Sequence, residues 1–182
     1  MTKSDLRAGI LTWSGFQDQE VVYPYYRLLA AGFKVDLVAD QRDDRNRVFG
    51  ILGVHMPCNL LYKDFFENAE ETSAKWDLLV LPGGVKALEK LRLEPNVLAF
   101  ISRWSDEGKP IASTCHGAQL LISAGVARGR RISGYYSIRD DINNAGGTYV
   151  DEPFVRDGNI VSSPHYDHMG PWMEEAISMV RV

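Results

Sequence analysis

Cys115 is the residue of this sequence whose surroundings point most directly to chemistry. It stands in the run Ala112-Ser113-Thr114-Cys115-His116-Gly117, after one short apolar segment and before another. That placement puts the sulfur where a strand turns into a helix, facing unpaired backbone N–H groups and the positive end of a helix dipole. Both features favour the thiolate. A free thiol is only a few per cent ionised at neutral pH, whereas a helix N-terminus or cationic neighbours bring its pKa to roughly 3.5–7.5, which raises the nucleophile population more than about tenfold. The competing reading is a buried structural cysteine, the common state of free Cys.

His116 is adjacent, and neighbouring side chains on a helix diverge, but in a sharp turn they meet. It is then a general base or acid for Cys115, with a third group orienting its other nitrogen; otherwise it caps or packs. Glu20 falls early in the helix after the first strand. It is either a first-turn acid that complements the dipole or a protonated acid that donates a hydrogen bond to the sulfur, its pKa raised by burial and by the neighbouring negative charge. Gly83-Gly84, after Leu81-Pro82, is either a plain turn or a place where the backbone comes close enough to offer an N–H to an oxyanion.

These residues need elements to position them. Arg7 to Trp13 reads as a strand, Val21 to Ala31 as a helix ending at Gly32, and Phe33 to Ala39 as a second strand, which makes a βαβ unit with a right-handed crossover. Asp40 to Arg47 is a charged loop, and Val48 to Leu61 suits short strands or an excursion from the sheet. Trp76 to Leu81 is a buried strand stopped by Pro82-Gly83-Gly84; Val97 to Trp104 is a helix, Ile111 to Ser113 a strand and Gln119 to Ala124 a helix. Asp140 to Ala145 is helical, Phe154–Arg156 and Asn159–Val161 flank an Asp157-Gly158 hairpin signal, and Trp172 to Val180 is an amphipathic helix. The alternation predicts an α/β fold: a doubly wound, mostly parallel sheet with helices on both faces and an added β-hairpin, in one domain over residues 1–182. In such sheets ligands sit outside the carboxyl ends of the strands, where Ser14–Glu20, Pro82–Gly84 and Thr114–Gly117 should converge.

Composition narrows the partners. The chain has 182 residues, 45% of them apolar and 24% charged, as expected of an ordinary folded domain with an adequate core. A net charge of -4, with Lys and Arg scattered, offers no footprint for nucleic acid or an anionic membrane, so a small-molecule partner is expected. The polar start and the absence of any stretch near 20 apolar residues imply a cytoplasmic protein without a membrane span. Two cysteines, Cys58 and Cys115, do not make a disulfide framework. His165, Asp167 and His168 lack an established metal-ligand spacing, so neither metal nor cofactor is expected.

Five segments in order resemble the ThiJ/PfpI superfamily, and within it the PfpI-like branch, on a class I glutamine amidotransferase-like (flavodoxin-like) fold. They are Glu20 to Leu28, Leu81 to Gly84, Gly108 to Gln119, Asp140 to Gly147 and Asp157 to Ser163. The resemblance implies that Cys115 is the nucleophile at the elbow, that Glu20 is bonded to it, and that Gly84 and His116 supply backbone N–H groups to an oxyanion, with Gly83 and Gly117 in the same binding group. It further implies that Glu89, after the Pro-Gly-Gly turn, reaches the His of a neighbouring subunit in a homodimer or hexamer. The sequence departs there, because Val85-Lys86-Ala87-Leu88 is one residue longer than the pattern. It departs again at Ser163-Pro164-His165, where related sequences often carry Arg and Pro, so His165 is a pocket candidate. Tyr135 and Tyr136 either line the pocket, as aromatics in the family do, or pack in the core.

The function expected from the residues and the resemblance is a cysteine-dependent hydrolase or lyase acting on a small electrophile: glyoxalase III-type conversion of methylglyoxal to lactate, or amide or peptide hydrolysis. Hydration of an isonitrile is a further possibility of the same chemistry. A non-enzymatic oxidative-stress sensor or chaperone using the same cysteine is the alternative class.

Overall fold

The computed structural model describes residues 6–180; residues 1–5 and 181–182, the two ends of the expected domain, lie outside it. The expected alternation is present. Strand β1 (Arg7–Leu11) leads to α1 (Asp18–Ala30) and β2 (Lys34–Ala39). An excursion follows, made of the hairpin β3 (Arg47–Phe49) and β4 (His55–Pro57), the short β5 (Leu60–Leu61), and helices α2 (Tyr62–Glu67) and α3 (Ala69–Ser73). The chain returns through β6 (Leu78–Leu81), α4 (Val85–Leu91), α5 (Pro95–Asp106), β7 (Ile111–Thr114) and α6 (Ala118–Ser123). It continues with β8 (Arg131–Ile132), α7 (Arg139–Asn144), β9 (Thr148–Tyr149), β10 (Val155–Asp157), β11 (Ile160–Ser163) and α8 (Met169–Ser178).

The main sheet has the order β10-β11-β7-β6-β1-β2-β5, parallel throughout except for the β10–β11 hairpin at its edge. Register aligns Leu37, Ile10, Val80, Ala112 and Val161 in one row across five strands. Each is completely buried, as expected of strands covered on both faces. β1 passes to β2 in one direction along the sheet and β6 passes to β7 in the other, so right-handed crossovers send α1 to one face and α4 and α5 to the opposite face. The strand order reverses between β1 and β6, which opens a crevice at their carboxyl ends.

The structure adds elements that the periodicity did not mark. α4 follows Gly84 directly and buries Ala87, Leu88 and Leu91. α2 carries Phe65 into a cluster with Trp76, the two rings stacked at 5.1 Å, and α3 follows it. The hairpin turn is Gly158-Asn159, because Asp157 pairs with Ile160, and Gly158 takes φ 59° at the first turn position. α1 begins at Asp18, which puts Glu20 in its first turn.

Gly9 shows how tightly the aromatic cluster meets the sheet, for a Cβ there would enter the six-membered ring of Trp76. Trp76 is further held by its indole N–H, which donates to Asp36 Oδ2 at 2.7 Å. Gly9→Ala is therefore expected to destabilise the protein by about 1–3 kcal/mol in urea unfolding, the usual cost of overpacking. A loss of only a few tenths would mean that the ring swings aside freely.

Candidate active site

The three loops expected to converge do so at the crevice. β7 ends at Thr114, and Cys115 turns the chain into a short 3-10 segment ahead of α6. It does so with φ 55°, a left-handed conformation that costs a non-glycine residue on the order of 1–3 kcal/mol and is held only when its surroundings demand it. The carbonyl of Cys115 accepts from the Tyr135 N–H at 3.2 Å, which ties the turn to the following loop. Within the turn the side chains of Cys115 and His116 do meet, Sγ lying 3.3 Å from Nδ1. Burial pushes the His116 pKa down, so the ring is neutral at pH 7 and available as a proton acceptor.

Glu20 reaches the same point from α1 and is fully buried. Its Oε2 accepts the Gly83 N–H at 2.7 Å. No hydrogen bond of standard geometry reaches Oε1, yet the Cys115 thiol is close enough to bias its ionisation. Burial raises the carboxyl to about 7, against the opposing pull of the thiol and of the Gly83 N–H. The thiol is pushed the same way, first by burial at 6% exposure and then by the charge of Glu20, while the backbone N–H groups of His116 and Gly84 pull it down. The turn's N–H groups pull the sulfur toward the thiolate, and desolvation and the carboxylate pull it the other way. Cys115 and Glu20 titrate as a pair, which near neutral pH comes to hold one proton between two buried acids.

The glycines divide by role. Gly83 spends its N–H on Glu20 and is not free to serve an oxyanion. A Cβ there would strike Glu20 Oε2 and lie 2.8 Å from Cys115 Cβ and 3.0 Å from the His116 nitrogen. Gly84, with φ 104°, turns its N–H to the sulfur instead. Gly117 is a packing position, since a Cβ would meet the Leu81 carbonyl oxygen. Glu89 is exposed on α4, away from the residues around Cys115.

A cleft of about 620 Å³ opens over the sulfur, walled by Gln17, Glu20, Leu52, Gly84, Val85, His116, Tyr135, Ser137, His165 and Tyr166. Tyr135 lies 4.7 Å from the His116 ring, centroid to centroid. Tyr136 is 70% exposed and outside the cleft, but the two phenols bond at 2.7 Å, and this, with burial, raises Tyr135 to about 12. His165 lines the cleft, its ring centroid 3.8 Å from that of Tyr166 and tilted 39° to it, with Nδ1 3.0 Å from Asp167 Oδ2. Among the described residues no three His, Cys, Asp or Glu side chains gather as a metal site, and no helix is long and apolar enough to cross a membrane. Grooves of similar size lie beside Tyr23 and Tyr26 and beside Arg42 and Arg47, so size alone does not single out the Cys115 cleft. The meeting of thiol, imidazole and buried carboxyl does. Cys58 is a buried free thiol in the core that donates to the Leu60 carbonyl.

Gln17 falls within the expected Ser14–Glu20 segment, whereas Leu52, Val85, Ser137 and Tyr166 are not among the sequence candidates. Their positions depend on how loops fold over the crevice, and only Tyr166, next to His165, carried any local signal.

The sequence profile of the DJ-1/PfpI family matches residues 6–179. The chain belongs to the DJ-1/PfpI family. It is 41% identical over 176 residues to a deglycase of Pyrococcus abyssi, covering 97% of this chain and all of that one. It is 37% identical over 171 residues to the deglycase PfpI of Pyrococcus furiosus, covering 94% and 97%. The solved structure of Schizosaccharomyces pombe DJ-1 superposes with a TM-score of 0.86 at 21% identity, over 97% of this chain and 93% of that one, a likeness of fold.

Because the fold raises Glu20 from an ordinary 4.5 to about 7, the native state binds the extra proton between those values. The stabilisation is complete below about pH 4.5 and is lost as the pH climbs through 7, a fall on the order of 3 kcal/mol. Urea titrations of wild type and Glu20→Gln across pH 4–8 should show this slope in the wild type and its loss in the variant.

Proposed function

We propose that this protein is a cysteine-dependent enzyme of α-oxoaldehyde chemistry, converting R–CO–CHO, free or as its adduct with an amine, to the 2-hydroxy acid. The observation that carries the reading is the 3.3 Å contact between Cys115 Sγ and a neutral His116 Nδ1 at the floor of a cleft with Glu20 behind the sulfur. The names of the archaeal deglycases support the same chemistry.

The thiol proton passes to His116 as the sulfur bonds to the aldehyde carbon, and the carbonyl pair moves to oxygen. That oxygen is met by the N–H groups of Gly84 and His116, which turn toward the sulfur, before it takes the proton back as a thiohemiacetal. With an amine adduct, the sulfur forms the same bond as the amine leaves with a proton. His116 then removes hydrogen from the aldehyde carbon and a proton is returned to the neighbouring carbon, through an enediol, leaving a thioester of the 2-hydroxy acid. Water cleaves the thioester, a C–O bond replacing C–S, and the thiol is regenerated. The redox change is internal to the substrate, so water is the only co-reactant. Glu20 sustains the cycle by holding the proton that the sulfur shares with it. Peptide hydrolysis would use the same sulfur but would require a long substrate in a cleft walled on several sides.

A second reading, an oxidation sensor, is favoured by one observation: Glu20 Oε1 is buried without a hydrogen-bond partner, on a carboxyl that interacts with the Cys115 thiol. Two equivalents of peroxide, each reduced to water, would carry Cys115 to a sulfinic acid that a protonated Glu20 could hold. The assignment of the reaction, a cytoplasmic location and self-association into dimers or hexamers belong to the same proposal.

Methylglyoxal consumption and lactate formation, followed with purified protein, should fall by roughly three orders of magnitude in Cys115→Ser and by 10²-fold or more in His116→Ala. Equal rates in wild type and Cys115→Ser would overturn the reading, and selective sulfinate formation at Cys115 without turnover would favour the sensor.

A further inference from the structure

The β3–β4 hairpin belongs to no layer of the main sheet, yet its tip is fastened to the active site. Asp18, the first residue of α1 and only 3% exposed, accepts the Leu52 N–H on Oδ2 at 2.8 Å and the Val54 N–H on Oδ1 at 2.9 Å. The Ile51 N–H donates to the Phe16 carbonyl at 2.9 Å, and Gly50 bridges to Phe16. The residues so gripped immediately precede Glu20 and contact the Gly83-Gly84 turn, since the Gln17 N–H donates to the Gly83 carbonyl. A buried carboxylate therefore couples the hairpin tip to the elements that hold the reacting groups.

What the clamp delivers is an apolar side chain at the cleft mouth. Leu52 is 71% exposed and still lines the cleft, with Val85, itself exposed, and Tyr166 as further rim residues. A leucine held in water by a hairpin tip anchored on Asp18 has no packing reason to be there. The cleft, at about 620 Å³, is also of a size that accommodates ligands far larger than a three-carbon aldehyde. Apolar rim residues gain from contact with an apolar group on the substrate.

We propose that Asp18 is a positioning residue whose hairpin clamp presents Leu52 as a specificity determinant, so that the Cys115 cleft selects α-oxoaldehydes bearing a bulky apolar or aromatic group on the ketone carbon. The inference rests on the proposed function. It also bears on reactivity of the sulfur itself, independently of turnover.

The test compares kcat/KM for phenylglyoxal and glyoxal in wild type, Leu52→Asp and Asp18→Asn, with thermal unfolding of each. Wild type is expected to prefer phenylglyoxal by about tenfold or more, and Leu52→Asp to reduce that preference by about tenfold through KM rather than kcat. Leu52 is exposed, so the variant is expected to fold. Asp18→Asn should lose preference in the same direction and in KM, a split that a general loss of stability would not produce. The same contrast is read without turnover as the rate of Cys115 alkylation by N-phenyl iodoacetamide relative to iodoacetamide. Inactivity of wild type toward both aldehydes, with an alkylation preference that depends on Leu52, would sink the proposed reaction and keep the selectivity. A preference unchanged by Leu52→Asp in both assays overturns the inference.

Discussion

A buried carboxyl pressed against a buried thiol is the constraint around which this structure is arranged. Glu20 has no exposed surface, and its carboxyl accepts the Gly83 N–H. Two acids cannot both be charged at that spacing without water, so the site near neutral pH holds a shared proton. Position 83 must be glycine, because any side chain there would displace the carboxyl or the sulfur. Cys115 adopts φ 55°, and in that turn Sγ lies 3.3 Å from His116 Nδ1 and interacts with Glu20. The strain and the desolvation are sustained by the packed sheet beneath.

That sheet explains why residues 95 positions apart along the chain can meet. β1, β6 and β7 end level with one another, so the loops that follow them open on one edge, and the reversal of strand order beside β1 keeps that edge free of a crossing helix. α1 starts at this edge and brings Asp18 and Glu20 on a single turn. One carboxylate faces the hairpin and the other faces the sulfur. The site is thus assembled from rigid element ends, while its rim comes from the hairpin tip and from the loops carrying Tyr135, His165 and Tyr166.

Much of this was legible in the chain. The apolar run before Cys115, the Pro-Gly-Gly stop after β6 and the βαβ pattern at the start place three loops at one sheet edge by topology alone. The meeting of Cys115 with His116 required only a sharp turn, which Gly117 and the strand before it signalled. Less legible were α4, whose two turns follow directly on Gly83-Gly84, and α2 and α3, which are short and broken at Asn68. Periods of 3.6 need more residues than these to stand out. The role of Gly83 was also hidden, because an N–H offered by a Gly-Gly turn looks the same whether an oxyanion or a carboxyl takes it.

The sequence by itself determined the fold class, the family and the identity of the thiol, imidazole and carboxyl, since these follow from local pattern and from side-chain types in order. Tertiary structure alone decided the ionisation of the pair and the shape of the cleft. Whether a strand-to-helix turn lowers a thiol depends on what is packed against it, and here burial and Glu20 overrule the backbone N–H groups. Leu52 reaches the cleft on a hairpin whose backbone is captured by a carboxylate 34 residues earlier. Desolvation and long-range capture are properties of the folded environment, and no single segment of the chain carries them.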